Sequence, residues 1–191
     1  MQTIQIKGVK REQFGKKGAK DIRRENLIPC VIYGNGGETI HFSVEAAEAK
    51  KILYTPKTYI VVLDIDGTEV KGVMRETQFH PVKDNVLHID FLEVNDKKPV
   101  VIEVPVKLEG HAAGVKAGGK LSLSMKRLKV KAVYTEVPEQ LVINVDDLGL
   151  GKSLQVGDLH FEGLELVNAK NAVVCAVQLT RAARGAAQAA E

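Results

Sequence analysis

The chain has no tryptophan, only two cysteines and six prolines among 191 residues, and no apolar run near the roughly 18–20 residues that a membrane-spanning helix needs. Its first residues, Met1 to Arg11, lack the apolar stretch of a secretory signal. Cys30 and Cys175 lie far apart, with no Cys or His at ligand spacing. They read as reduced core thiols, which argues against a disulfide scaffold or a cysteine metal centre. Charge of one sign is lacking too: 27 basic residues against 24 acidic ones leave a net +3. What remains is a soluble, cytosolic protein, with 45% hydrophobic residues, enough for a packed core in one large or two small domains.

The near-neutral total hides segregation. Residues 1–24 carry eight basic and two acidic residues (net +6), and residues 95–131 carry nine and three (also +6). The stretches 25–94 and 132–191 are acidic, at −5 and −4. A concentrated basic segment suits a polyanion, although a solvated charged face has the same composition.

Periodicity predicts short strands through most of the chain. Residues 2–6 alternate polar and apolar; residues 30–33 form a buried strand closed by a 34–37 turn; residues 39–43 resume. Between Gly8 and Asn26 alternation stops. Gly15 and Gly18 suit a lysine-bearing turn, and residues 20–26 suit two turns of helix with Arg23 and Arg24 exposed. Residues 45–53 form the best helix, with Ser43 as candidate N-cap. Residues 59–66 and 69–77 make a hairpin about Asp66-Gly67, and 87–94 a further strand. The polar stretch 95–99 is the best boundary. Beyond it strands at 100–108, 121–133, 141–145, 164–167 and 172–179 imply a second, mainly β domain over 95–183, and the Ala-rich tail 184–191 reads as loose. The expected fold class is mainly β (α+β).

Three patterns invite chemistry. Gly114 to Lys120 matches G-x-x-x-x-G-K, the start of a phosphate loop, but Leu121 replaces the hydroxyl that holds magnesium, and a strand pattern follows where a helix is needed. His88 and Asp90, two apart on a strand, share a face. They make half a catalytic pair without a nucleophile, a surface pair, or a polar pair for base edges and 2′-hydroxyls. Gly15-Lys16-Lys17-Gly18 lets backbone N–H groups and ammonium ions approach phosphates together. The histidines are too scattered for a metal site, and no cofactor is expected.

Arg11-Glu-Gln-Phe-Gly-Lys16-Lys17-Gly-Ala, Ile22-Arg23-Arg24-Glu25 and Ile28-Pro29-Cys-Val-Ile-Tyr33-Gly34, then Gln78-Phe-His80-Pro81 and Leu87-His88-Ile-Asp90-Phe91, resemble the signatures of the bacterial ribosomal protein L25 family. Gly110-His through Gly118-Gly119-Lys-Leu, Val145-Asp146, and Gly151-Lys-Ser-Leu154 resemble the C-terminal domain of its long, general-stress (CTC) form. The resemblance implies a β-barrel with flanking helices over 1–94 that binds 5S ribosomal RNA at an irregular internal loop in the large subunit's central protuberance. It implies a monomer within the particle, whose second domain meets neighbouring RNA or ribosomal proteins. The RNA-facing residues it implies are Lys10 or Arg11, Lys16, Lys20, Arg23, Tyr33, Gln78, His88 and Asp90; Lys17 and Arg24 join them as basic neighbours. The chain departs from the family at Lys17, where a glycine is usual, at Lys20-Asp21, where two arginines are usual, and at Asn26-Leu27. The expected protein is no enzyme; the alternatives are a stress-induced RNA binder away from the ribosome, or a nucleotide-binding enzyme using Gly114–Lys120.

Overall fold

The computed structural model describes residues 1–34 and 36–180, so the tail expected to be loose lies outside the described residues. The chain divides into two compact units: residues 1–102 with 133–139, and residues 103–132 with the described residues from Gln140 onward. The polar stretch at 95–99 therefore precedes the division by a few residues, and a later segment returns to the first unit. Tyr134 accounts for part of that return. Its hydroxyl donates to Asp96, and this bond, more than burial, pushes the phenol pKa up. An ion pair of 3.4 Å between Lys57 and Glu139 adds a second tie.

In the first unit six strands close into a barrel: β1 (Gln2–Lys10), β2 (Leu27–Tyr33), β3 (Ile40–Glu45), β4 (Tyr59–Ile65), β5 (Thr68–Phe79) and β6 (Val86–Glu93). They lie in the order β1-β3-β2-β6-β5-β4, and β4 runs parallel to β1 to complete the ring. Closure removes exposed sheet edges. Alternate side chains point inward, so Ile6, Cys30, Ile32, Phe42, Val44, Leu63, Ile89 and Phe91 form the core. The Phe42 and Phe91 rings meet at 5.9 Å, tilted by 35°. Truncating a core residue such as Leu63 to Ala would cost about 2–5 kcal/mol. The β4–β5 turn has Asp66 and Gly67 both at positive φ, as a tight two-residue hairpin demands.

Several local expectations are revised. The helix α1 spans Gly15–Arg24 and so contains both glycines assigned to a turn. Gly15 (φ +82°) makes the entry, and Gly18 is buried so tightly that a Cβ would sit 3.0 Å from the Gln13 carbonyl oxygen. Small size, not a hinge, is what Gly18 supplies. Helix α2 (Ala46–Leu53) starts from Glu45 without a side-chain cap; Ser43 lies within β3 and donates to the Val9 carbonyl. β2 begins before Pro29, whose missing N–H is tolerated because pairing with β6 starts only at Cys30.

The second unit carries most of β7 (Val100–Glu109), with β8 (Lys120–Leu123), β9 (Arg127–Ala132), β10 (Leu141–Asn144), β11 (Ser153–Gln155), β12 (Glu165–Leu166) and β13 (Val173–Gln178), a short helix α3 (Ala113–Lys116) and a 3-10 turn at Val156–Asp158. They form sheets ordered β10-β7-β9-β12 and β11-β13-β8. The single strand expected over 121–133 is broken in two at residues 124–126, where Ser124 and Met125 both donate to the Val174 carbonyl. Both cysteines are free and buried.

Candidate nucleic-acid interface

Helix α1 gathers five of the eight basic residues of the first segment. At 100° per residue, Lys16, Lys20, Arg23 and Arg24 share a sector about 100° wide, with Lys17 and Asp21 beside it. Asp21 pairs with Arg24 at 3.3 Å. Among the described residues no carboxylate comes within ion-pair distance of Lys16, Lys17, Lys20 or Arg23. No acidic side chain among the described residues balances these charges, which favours an anionic partner.

On the barrel beside α1, β5 and β6 place Gln78 directly across from His88. His88 Nδ1 lies 2.6 Å from Asp90 Oδ1, and both side chains are about three-tenths exposed. In the tautomer whose Nδ1–H donates to the carboxylate, Nε2 is left as an acceptor. His88 and Gln78 share a cleft of about 490 Å³ with Arg11, Arg23, Phe14 and His41. Phe14 stands edge-on to the His41 ring at 5.1 Å. Arg11 is fixed by its N–H to the His41 carbonyl (2.9 Å) and by Nη2 to the Gln13 carbonyl (3.1 Å), while its Nε is buried without a partner among the described residues. Arg23 Nη1 donates to the Leu87 carbonyl at 3.4 Å.

The structure thus brings together Arg11, Arg23, Gln78 and His88, with Asp90 behind His88. Of the pair Lys10 or Arg11, it is Arg11 that reaches the cleft. Lys10 ends β1 in register with Phe42, and its N–H donates to Asp66. Tyr33 lines a separate hollow of about 500 Å³ with Arg75 and Leu92. Lys17 lines neither the His88 cleft nor the larger one behind α1.

That larger cleft, about 1000 Å³, takes Lys16, Lys20, Arg23 and Arg24 as one wall, and Lys50 and Lys83 help to form the other. Sequence reasoning missed Lys50 and Lys83. Lys50, beside Lys51, and Lys83 lie within the acidic stretch 25–94, and only the fold brings them to one cleft with α1.

The arrangement offers poor ground for catalysis. The residues lining the His88 cleft include no serine, threonine, cysteine or lysine. Nearby Cys30 is fully buried, and burial pushes its thiol far above the ordinary range, so it is inert. The Gly114–Lys120 segment is equally unsuited to phosphate. Its N–H groups from Gly114 to Gly119 all donate within the protein, to the carbonyls of Leu148, Ala112, Ala113, Val115 and Gly114. The glycines are there for space: a Cβ on Gly114 would lie 2.6 Å from the Gly149 carbonyl carbon, and one on Gly119 would lie 2.5 Å from Val177.

Comparison with known proteins identifies the family. The family model described as the Ribosomal L25p family matches residues 6–91, and that of the ribosomal protein TL5 C-terminal domain matches residues 99–181. The large ribosomal subunit protein bL25 of Porphyromonas gingivalis is 60% identical over 98% of both chains. The chain belongs to the ribosomal L25p family. Its bL25 relatives in Parabacteroides distasonis and Bacteroides thetaiotaomicron are 58% and 54% identical, each over at least 97% of both chains. Presence of the second family domain makes this a long-form L25 protein. Every candidate residue named above falls within the L25p match.

Proposed function

We propose that this L25-family chain is a structural, non-enzymatic protein of the bacterial large ribosomal subunit, working in the cytoplasm as a single copy bound to 5S ribosomal RNA. The observation that carries this reading is the convergence of Arg11, Arg23, Gln78 and His88 on one cleft beside a helix of uncompensated lysines. The basic residues of α1 lie along the RNA backbone and neutralise phosphates, which gives affinity and salt dependence but little sequence information. Gln78 and His88, fixed by cross-strand pairing on the barrel, reach base edges and 2′-hydroxyls in a minor groove widened by non-Watson–Crick pairs. Asp90 holds the His88 ring with one oxygen and accepts from amino or hydroxyl donors with the other. Tyr33 and Lys10, set apart from the cleft, make outlying contacts. There is no turnover; the protein holds one RNA conformation within an assembled particle. The second unit meets neighbouring RNA or ribosomal proteins.

A binding titration tests the reading. Intact 5S RNA should bind more tightly than 5S RNA whose internal loop is replaced by regular duplex, and His88→Ala should erase most of that preference. Equal affinity of the wild-type chain for both RNAs would refute it.

A further inference from the structure

The larger cleft behind α1 holds more than a continuation of the helix's charge. Six cations line it against a single carboxylate, Asp84. Lys50 and Lys83 on the far wall have no ion-pair partner among the described residues; the neighbouring Lys51 is the one that pairs with Glu48, at 2.6 Å. Lys83 sits on a stiff projection. The His80 N–H donates to the Asn85 carbonyl (2.8 Å), the Asp84 N–H returns to the His80 carbonyl (3.0 Å), and His80 Nδ1 accepts the N–H groups of Val82 and Lys83. Asp84 takes a positive φ of 54° to close that loop. Tyr54, at the C-terminus of α2 and one helical turn on from Lys50, is 64% exposed and lines the cleft.

A groove lined by cations with an unpacked aromatic ring is the combination that binds unpaired nucleotides: ammonium groups follow the phosphates while a base stacks on the ring. The size agrees. About 1000 Å³ is the upper end of sites that enclose small molecules, room for a few nucleotides and not for a duplex. We propose that this cleft is a second RNA site, for unpaired nucleotides, in which Tyr54 stacks a base and Lys50 and Lys83 hold the flanking phosphates opposite α1. The idea rests on the RNA-binding reading above and deepens it: α1, with Arg23 lining both clefts, becomes a partition between a groove-reading face and a strand-holding one.

The test uses the full chain and a short oligouridine bearing one 4-thiouridine. Photocrosslinks should map to Tyr54 and its neighbours. Tyr54→Ala should weaken oligouridine binding about fivefold or more, with Tyr54→Phe restoring it. Lys50→Ala with Lys83→Ala should lower the salt slope by about 1 to 2, and His88→Ala should leave this binding as it is. The Tyr54, Lys50 and Lys83 side chains are exposed, so folding is not at stake in those variants. Crosslinks mapping elsewhere, unchanged affinity in Tyr54→Ala, or displacement of the oligouridine by an equimolar polyglutamate peptide would each overturn the proposal. If 5S RNA binds with its loop preference and oligouridine does not bind, the cleft proposal falls alone. If oligouridine crosslinks at Tyr54 while the loop preference is missing, the 5S reading falls alone.

Discussion

Residues 1–24 and 95–131 have the same net charge of +6, yet the fold treats them differently. In the first unit five of the eight cations are stacked on a single helix, with no carboxylate near Lys16, Lys17, Lys20 or Arg23 among the described residues. In the second, strand β9 turns Arg127, Lys129 and Lys131 outward in strict alternation with buried Leu128, Val130 and Ala132. Two of those three are answered: Lys131 lies 3.2 Å from Glu165 and Lys129 3.9 Å from Glu103. Exposed pairs like these add little stability, but they reduce the field a phosphate would meet. Equal composition therefore gives unequal surfaces: α1 gathers unpaired cations on one helix, whereas β9 has two of its three answered by carboxylates.

The largest effect that would break this contrast comes from charge removal. The triple variant Lys16→Ala, Lys20→Ala, Arg23→Ala should lower the salt slope of 5S RNA binding by about 2 to 3, since each neutralised phosphate contributes roughly 0.7–0.9. Arg127→Ala, Lys129→Ala, Lys131→Ala should lower it by less than about 1. Equal losses from the two triples would erase the distinction. Next comes His88→Ala, which should cost about 1–3 kcal/mol of preference for the irregular loop, read from paired titrations against loop and duplex RNAs. A similar loss on both RNAs would assign His88 to architecture.

A change confined to the second unit sharpens the comparison from the other side. Gly114→Ala forces a Cβ against the backbone of Gly149 and Leu150 and should destabilise the chain by about 1–3 kcal/mol in denaturant unfolding, leaving 5S RNA affinity intact. A stable variant with altered nucleotide affinity would restore the phosphate-loop reading. The smallest effect concerns Asp146. The His111 N–H, at 2.7 Å, holds its carboxyl below the usual carboxylate range. A depressed folded-state pKa stabilises the fold above the unfolded value of about 3.9 and loses that contribution as pH falls through the folded value. Asp146→Asn should therefore lower Tm slightly near neutral pH, with the gap to wild type closing below about pH 4.

The sequence carried the strands well: β1 and β6 alternate as half-buried strands do, and the Asp66-Gly67 turn marks β4 and β5. It was less legible where long-range contacts decide. Nothing near Gly18 shows that Gln13 will press against it, so the start of α1 read as a turn. Nothing in 121–133 marks the break between β8 and β9, which Val174 imposes from far along the chain. The return of residues 133–139 to the first unit rests in part on the Tyr134–Asp96 bond, invisible without coordinates. In the candidate site, Arg23, Gln78, His88 and Asp90 stood out through spaced motifs. Lys50 lies on α2, with Tyr54 one turn on at its C-terminus, and Lys83 in a distant loop; no pattern in the sequence ties them to α1, and only folding assembles them into one cleft.

An NMR titration of the labelled full chain with 5S RNA addresses the contrast most directly. Amide perturbations should concentrate in residues 11–24, around Gln78 and over 86–90, with those of β8 to β13 small. Perturbations centred on residues 120–178, with α1 unmoved, would contradict it.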